Sequence, residues 1–391
     1  MKLATLIVHA GEHERWQCLV ETTIPLDQDV PCENLVLRNE SEEKEIPVQA
    51  WTDKEGQINL AWIVDRMARQ DTRAFELRAN DDPVASNDGV RLQERPGKLE
   101  ILIAGKHLTT YNYDQVVRPY LYPVFVDEGV GITRNWPMVQ DVPEESTDHP
   151  HHKGIYTAQD EIRGVNNWSE GEGHGWQIHR AFERTYSGPV AGGFTAAIDW
   201  TDRNRNVYMT ETRRMTFYRT PAQARLFDYQ VTLHASEGEL VIGDTKEGGL
   251  ISVRVASSME EQREAGGTIV TGVGGVGEAE AWGKRAHWCD YSGPVGDGQY
   301  GISIMDHPQN PRFPTYWHVR AYGLMTANCV GRHHFTGDAE NRWDLPIAAG
   351  ESKTWRYRVL IHHGDAQAAQ IPVHYEGFAY PPSVNVQDAA L

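Results

Sequence analysis

Asp148-His149-Pro150-His151-His152-Lys153-Gly154 is the densest run of chemically capable side chains in this sequence, and Trp168-Ser169-Glu170, His174 and His179 follow it closely. Five histidines fall within 31 residues. Imidazoles exchange protons near neutral pH and ligate metals, so such crowding points to proton transfer or metal binding. In extended backbone, side chains two apart share a face, so His149 and His151 make a His-X-His pair, a frequent half of a zinc or iron site. Glu170, His174 or His179 would have to complete it, and His149, His151 and His179 are the ligands to test for a divalent metal. No HExxH spacing is present, and a metal-free polar site is favoured, its imidazoles bonded to backbone and substrate.

A second segment, Gly243-Asp244-Thr245-Lys246-Glu247-Gly248-Gly249, leads into a strand where Ser252 and Arg254 share one face. Glycines let backbone approach a ligand, and Glu247 beside basic groups is a proton-transfer candidate; a tight turn with a solvated charge run is the competing reading. Two further clusters run from Trp282 through Lys284, His287 and Trp288 to Tyr291, and from Asp306 and His307 to Trp317, His318, Arg320 and Tyr322. Aromatic faces meet sugar C–H groups, and charged ends meet hydroxyls or carboxylates. These patterns nominate His152, Glu247 and Lys153 as catalytic. His149, His151, Arg254, Trp168, Lys284, Trp288, His307 and Arg320 are nominated as substrate-binding. The 149–153 loop, Glu247 and Arg254 are expected to converge on one concave pocket, because crowding imidazoles and cations gains a fold nothing without a ligand.

The elements that must position these groups are strands. Residues 1 to about 95 alternate in short runs: Lys2 to His9, Trp16 to Thr23, Asn34 to Asn39, Glu45 to Trp51, Ile58 to Ile63 and Thr72 to Arg78. They predict a small β-sandwich or barrel over 1–95. Asn80 to Gly89, with Pro96-Gly97, reads as a linker. From 96 to 391 strands recur, among them Ala197 to Trp200, Asn206 to Tyr218, Arg225 to His234, Ser252 to Ala256, Ile302 to Met305 and Thr354 to His362. Only Glu260 to Ala265 hints at a helix. The fold class is all-β, with two large packed sheets, a supersandwich, as the second domain.

Composition narrows the partners. A net charge of −18 repels nucleic acid and anionic lipid, and no apolar run approaches the roughly 20 residues of a membrane helix. Met1 to Ala10 reads as a first strand, not a signal peptide. Cys18, Cys32, Cys289 and Cys329 form no CxxC pair, which suits reduced thiols in a cytoplasmic protein. Twelve Trp, 16 Tyr and 17 His suit stacking on sugar rings and bonding to hydroxyls, so a small carbohydrate is the expected partner. No cofactor is favoured, a divalent metal being the one considered, and the sequence carries no signal for an oligomeric state. G-x-S-x-G, Rossmann and EF-hand patterns are absent, which excludes esterase, dinucleotide and calcium-sensor classes of those kinds.

Arg118-Pro119-Tyr120-Leu121-Tyr122-Pro123, the 148–154 run, the 243–248 run, Trp282-Gly283-Lys284-Arg285-Ala286, His307-Pro308 with Asn310-Pro311, and Tyr322-Gly323-Leu324 stand in the order found in the PmoA-like family, which this sequence resembles. Members are often labelled methane oxygenase, a membrane name that a chain without a membrane helix does not fit. The resemblance implies a galactose-mutarotase-like supersandwich and work beside sugar oxidoreductases and isomerases. Ile46 to Trp51 is similar to the leading β-domain of some polysaccharide-lyase-like proteins. It brings no catalytic residues. Three functions follow as expectations: an enzyme doing acid/base chemistry on a sugar or keto sugar by epimerisation, elimination or glycoside cleavage; a non-catalytic carbohydrate-binding protein; or a His-ligated metalloenzyme.

Overall fold

Strands that alternate apolar and polar residues bury one face each, and here they assemble into two sandwiches. The computed structural model describes residues 1–24, 30–82, 88–264 and 266–387. In the smaller unit, Lys2–His9 is the second strand of a five-stranded sheet, between the central strand Thr72–Ala79 and the edge strand Ser383–Gln387 from the far end of the chain. A three-stranded sheet of Arg15–Ile24, Ile58–Met67 and Gln49–Thr52 covers it. Leu6, Val8, Leu37, Leu60, Trp62 and Phe75 fill the space between.

Two sequence expectations change here. The single run Glu45 to Trp51 is two strands: Lys44–Ile46 belongs to the five-stranded sheet and Gln49–Thr52 to the three-stranded one. Pro47 lies between them and has no N–H for a ladder, so the chain changes sheets there. The proposed linker also ends earlier, because Val90–Arg95 is a strand hairpinned onto Lys98–Ile103 through Pro96-Gly97, with Gly97 at φ +73°. Residues 83–87 of that linker lie outside the described residues.

The larger unit packs an eight-stranded antiparallel sheet against a nine-stranded one, an all-β sandwich. Phe194, Trp200, Phe227, Tyr229, Trp355 and Val359 of the first face Leu121, Ile155, Val253, Met325 and Trp317 of the second across one core. Glu260 to Glu264 form turns rather than a helix, and Ala265 lies outside the described residues. The longest helix among the described residues, Ile371–Ala379, has no counterpart in the sequence reading. Nine residues that bury Ile371, His374, Tyr375, Gly377 and Phe378 show no clean polar stripe to read. It packs on the outer face of the eight-stranded sheet with Trp288, Met305 and Leu360 and meets Leu19 and Ile63 of the smaller unit. Among the described residues no helix is long and apolar enough to cross a membrane, and all four cysteines are free thiols.

Candidate functional site

Strand alternation on the nine-stranded sheet sends Ile155, Val253, Met325 and Val319 into the core, and their neighbours outward. Register then places Tyr120, Tyr156, Ser252, Thr326 and His318 side by side on five adjacent strands. This row is the floor of the site. Glycine is needed beneath it, since a Cβ on Gly248 would lie 2.1 Å from Gln159 Oε1 and one on Gly249 2.1 Å from Thr326 Cγ2. These glycines admit neighbouring side chains, not a ligand beside Glu247 as the sequence suggests.

The 148–153 loop lies over this floor, held by two buried arginines. Arg134 Nη1 donates to Asp148 Oδ1 at 2.7 Å and Nη2 to the His149 carbonyl at 2.8 Å. Arg254 Nη2 reaches the same Oδ1 at 2.7 Å and Glu260 Oε1 at 3.1 Å. His149 donates from Nδ1 to Asp148 Oδ2 at 2.5 Å and holds a left-handed φ of +46°, a conformation uncommon outside glycine. Burial alone would raise the Asp148 carboxyl, but the bonds from His149 and Arg254 and the charges of both arginines hold it well below the usual carboxylate range.

Three imidazoles of the loop have different fates. His149 is exposed and stacks on Tyr322, centroids 4.8 Å apart and planes 10° apart. His152 lies parallel beneath it at 4.9 Å, edge-on to Trp168 at 5.4 Å, and is 1 % exposed. Its Nδ1 and Nε2 have no hydrogen-bond partner, and burial drives its pKa well below the ordinary histidine value. His151, half-buried, is pushed down to about 4 by burial first and then by the charges of Arg118 and His149. It is neutral at physiological pH.

Around them, Lys153 Nζ donates to Glu170 Oε2 at 2.5 Å, and Arg118 stands 3.9 Å from Oε1. His318 Nδ1 donates to the Lys246 carbonyl at 2.7 Å, which leaves Nε2 as the basic nitrogen. Its ring stacks on Trp168 at 6.3 Å. Glu247 is half-buried and hydrogen-bonded to Lys246; burial raises its carboxyl, but that bond, the neighbouring His318 ring and the Lys246 charge bring it below the ordinary value.

The structure thus brings together His149, His151, His152, Lys153, Trp168, Glu247 and Arg254. It does not bring in four others. Trp288 is packed under the 371–379 helix on the other sheet, and His307 meets Phe378 there at 4.9 Å. Lys284 is an exposed residue between Ala281 and Trp317 backbone. Arg320 reaches only the rim, its Nε 2.9 Å from Glu278. Alternation told which residues share a strand face, not which sheet or which side a strand occupies. The metal set fails for the same reason: His179 sits in a ring cluster with Tyr113 at 4.4 Å and Phe182 at 4.5 Å, away from His149 and His151. Among the described residues no three His, Cys, Asp or Glu side chains are placed to hold an ion. Arg118, Arg134, Tyr156, Thr326 and His318 were not named as site residues. Tyr156 and His318 each alternate with core residues, which is the one signal that could have found them; the arginines pair with groups too distant to be read.

A sandwich with its core between the sheets and a histidine-rich polar site outside one of them is the class of protein defined here. Residues 98–376 match a family of unknown function, DUF6807, and the chain belongs to that family. No curated protein matches it. A solved structure, an alpha-mannosidase from Enterococcus faecalis V583, aligns with 99% of this chain and 46% of that chain, with TM-score 0.45 and 8% identity. The chain therefore spans less than half the length of that protein.

Proposed function

We propose that the chain is a carbohydrate-active enzyme performing acid/base chemistry on a sugar or oxidised sugar, and that the outer face of the nine-stranded sheet is its active site. One observation carries this reading. Tyr156 Oη, Ser252 Oγ, Thr326 Oγ1, Arg118 Nη1, Gln159 Nε2 and Glu170 Oε1 are buried without a hydrogen-bond partner in the protein. Buried polar atoms normally find partners, and leaving one unpaired costs about 1–3 kcal/mol. So many around one floor are explained by a ligand rich in hydroxyls.

In this reading the proton moves through His151, neutral and without a hydrogen-bond partner, with Glu247 as the second acid/base group. Lys153 and Arg118, already gathered around Glu170, stabilise negative charge developing on a substrate oxygen. His152 is too enclosed to meet substrate and instead backs His149. The PmoA-like resemblance favours a keto sugar as substrate.

Turnover of a panel of 3-keto-glycosides, sugar acids and simple sugars tests the idea. The wild type should convert at least one member. His151→Ala and Glu247→Gln should each lower kcat by about 10²–10⁴ with unchanged thermal unfolding. Binding without conversion across the panel would support the carbohydrate-binding alternative, and full activity in His151→Ala would remove that residue from the mechanism.

A further inference from the structure

The smaller unit does not seal against the eight-stranded sheet. A cavity of about 1120 Å³ remains between them, on the opposite side of the large sandwich from the histidine site. Its floor is another cross-strand row: Arg184 pairs with Thr195, Thr195 with Arg214, Arg214 with Gln230 and Gln230 with Arg356. Neighbouring strands lie ~4.8 Å apart, so successive arginines of this row are spaced by about 10 Å. All three are exposed to the cavity, and among the described residues none makes an ion pair with a carboxylate, though Arg214 lies close enough to Glu21 to act on its charge and Arg184 lies over the Tyr186 ring. One row further on, Arg358 does pair, with Asp228 at 2.7 and 3.0 Å. Three open guanidinium groups in a line are unexpected in a chain of net charge −18.

The facing wall has the opposite character. Glu33, Glu45 and the half-buried ring of Trp51 line it, with Glu21 beside them. We propose that this cavity is a second binding site, for a short anionic oligosaccharide built of uronate units. A guanidinium fork matches a carboxylate in geometry and charge, and the ~10 Å spacing suits a ligand with repeated carboxylates. Sugar hydroxyls are donors that the Glu33 and Glu45 carboxylates accept, and Trp51 provides a stacking face. A polyphosphate has no hydroxyls to donate to that acidic wall. The volume exceeds the roughly 300–1,000 Å³ of ordinary small-molecule sites, as more than one sugar ring requires. The inference stands apart from the reading of the histidine site, because the two lie on different sheets.

Titration calorimetry on the full chain with trigalacturonate, and with neutral maltotriose as comparison, tests it. Trigalacturonate should bind, more weakly as salt is added, and maltotriose should bind at least about tenfold more weakly, since each tenfold is only ~1.4 kcal/mol. Arg214→Gln and Arg356→Gln should each weaken trigalacturonate binding about tenfold, and Trp51→Ala should weaken both ligands. Equal affinity for the neutral trisaccharide, no heat with trigalacturonate, or loss of binding in His151→Ala but not in Arg214→Gln would each overturn the proposal.

Discussion

Arg254 Nη2 lies 2.7 Å from Asp148 Oδ1, tying a strand of the nine-stranded sheet to a loop 106 residues earlier in the chain. The guanidinium is fully buried, its Nη2 also meets Glu260, and its carbon lies 4.9 Å from the centre of the Tyr322 ring. Arg254 therefore positions the histidine loop rather than offering itself to substrate.

Replacing Arg254 with Ala should destabilise the protein by about 3–5 kcal/mol, because it leaves the buried Glu260 Oε1 without its cation and removes one of the two arginines that hold Asp148. Urea denaturation would measure this. A variant as stable as wild type would show that the loop does not depend on the pair.

The pH dependence of the site should follow His151. Its folded value of about 4 lies below that of the unfolded chain, so the fold disfavours the charged ring. The associated stability is present above the unfolded value and is lost as pH falls from about 6.5 towards 4. The acid limb of kcat/KM should accordingly sit near pH 4–5 rather than at the ordinary histidine value, and an imidazole NMR titration should place the His151 signal there. A midpoint near 6.5 for both would contradict the burial described.

Gly249→Ala should destabilise by about 1–3 kcal/mol, since the new methyl would sit 2.1 Å from Thr326 Cγ2 and 2.9 Å from the Ala327 carbonyl oxygen. Thermal unfolding reads the outcome, and a neutral effect would mean that the floor of the site yields easily.

On the other sheet, His362 Nε2 donates to Asp290 Oδ1 at 2.9 Å, both residues buried, and Ser303 donates to the same oxygen at 2.6 Å. Burial lowers the His362 value, but the Asp290 charge and bond outweigh it and raise the group. The pair's stabilisation is therefore present below the unfolded histidine value and lost as pH rises through the raised one. Unfolding free energies across about pH 6 to 9 should decline in the wild type and decline less in His362→Gln. Parallel profiles would show that the pair does not titrate.

Much of the scaffold follows from sequence alone. Thr354 to His362 alternates plainly and Lys2–His9 is a short apolar run of strand length, and such segments over so much of the chain leave few options besides packed sheets, because each strand must bury one side. The crowding of His149, His151, His152 and Lys153 is likewise a property of local sequence. Only the tertiary structure decided which of those rings is enclosed and which is open: His152 is covered by His149 and Trp168, and Trp168 is itself held by Arg118, whose Nη2 donates to its carbonyl at 2.7 Å from fifty residues away. It also sent His179, Trp288 and His307 elsewhere, though their sequence surroundings look as promising. A period of two residues says which side chains share a face; whether that face meets the core, the smaller unit or the ligand depends on pairing between distant strands, and that is set by the packing of the whole chain.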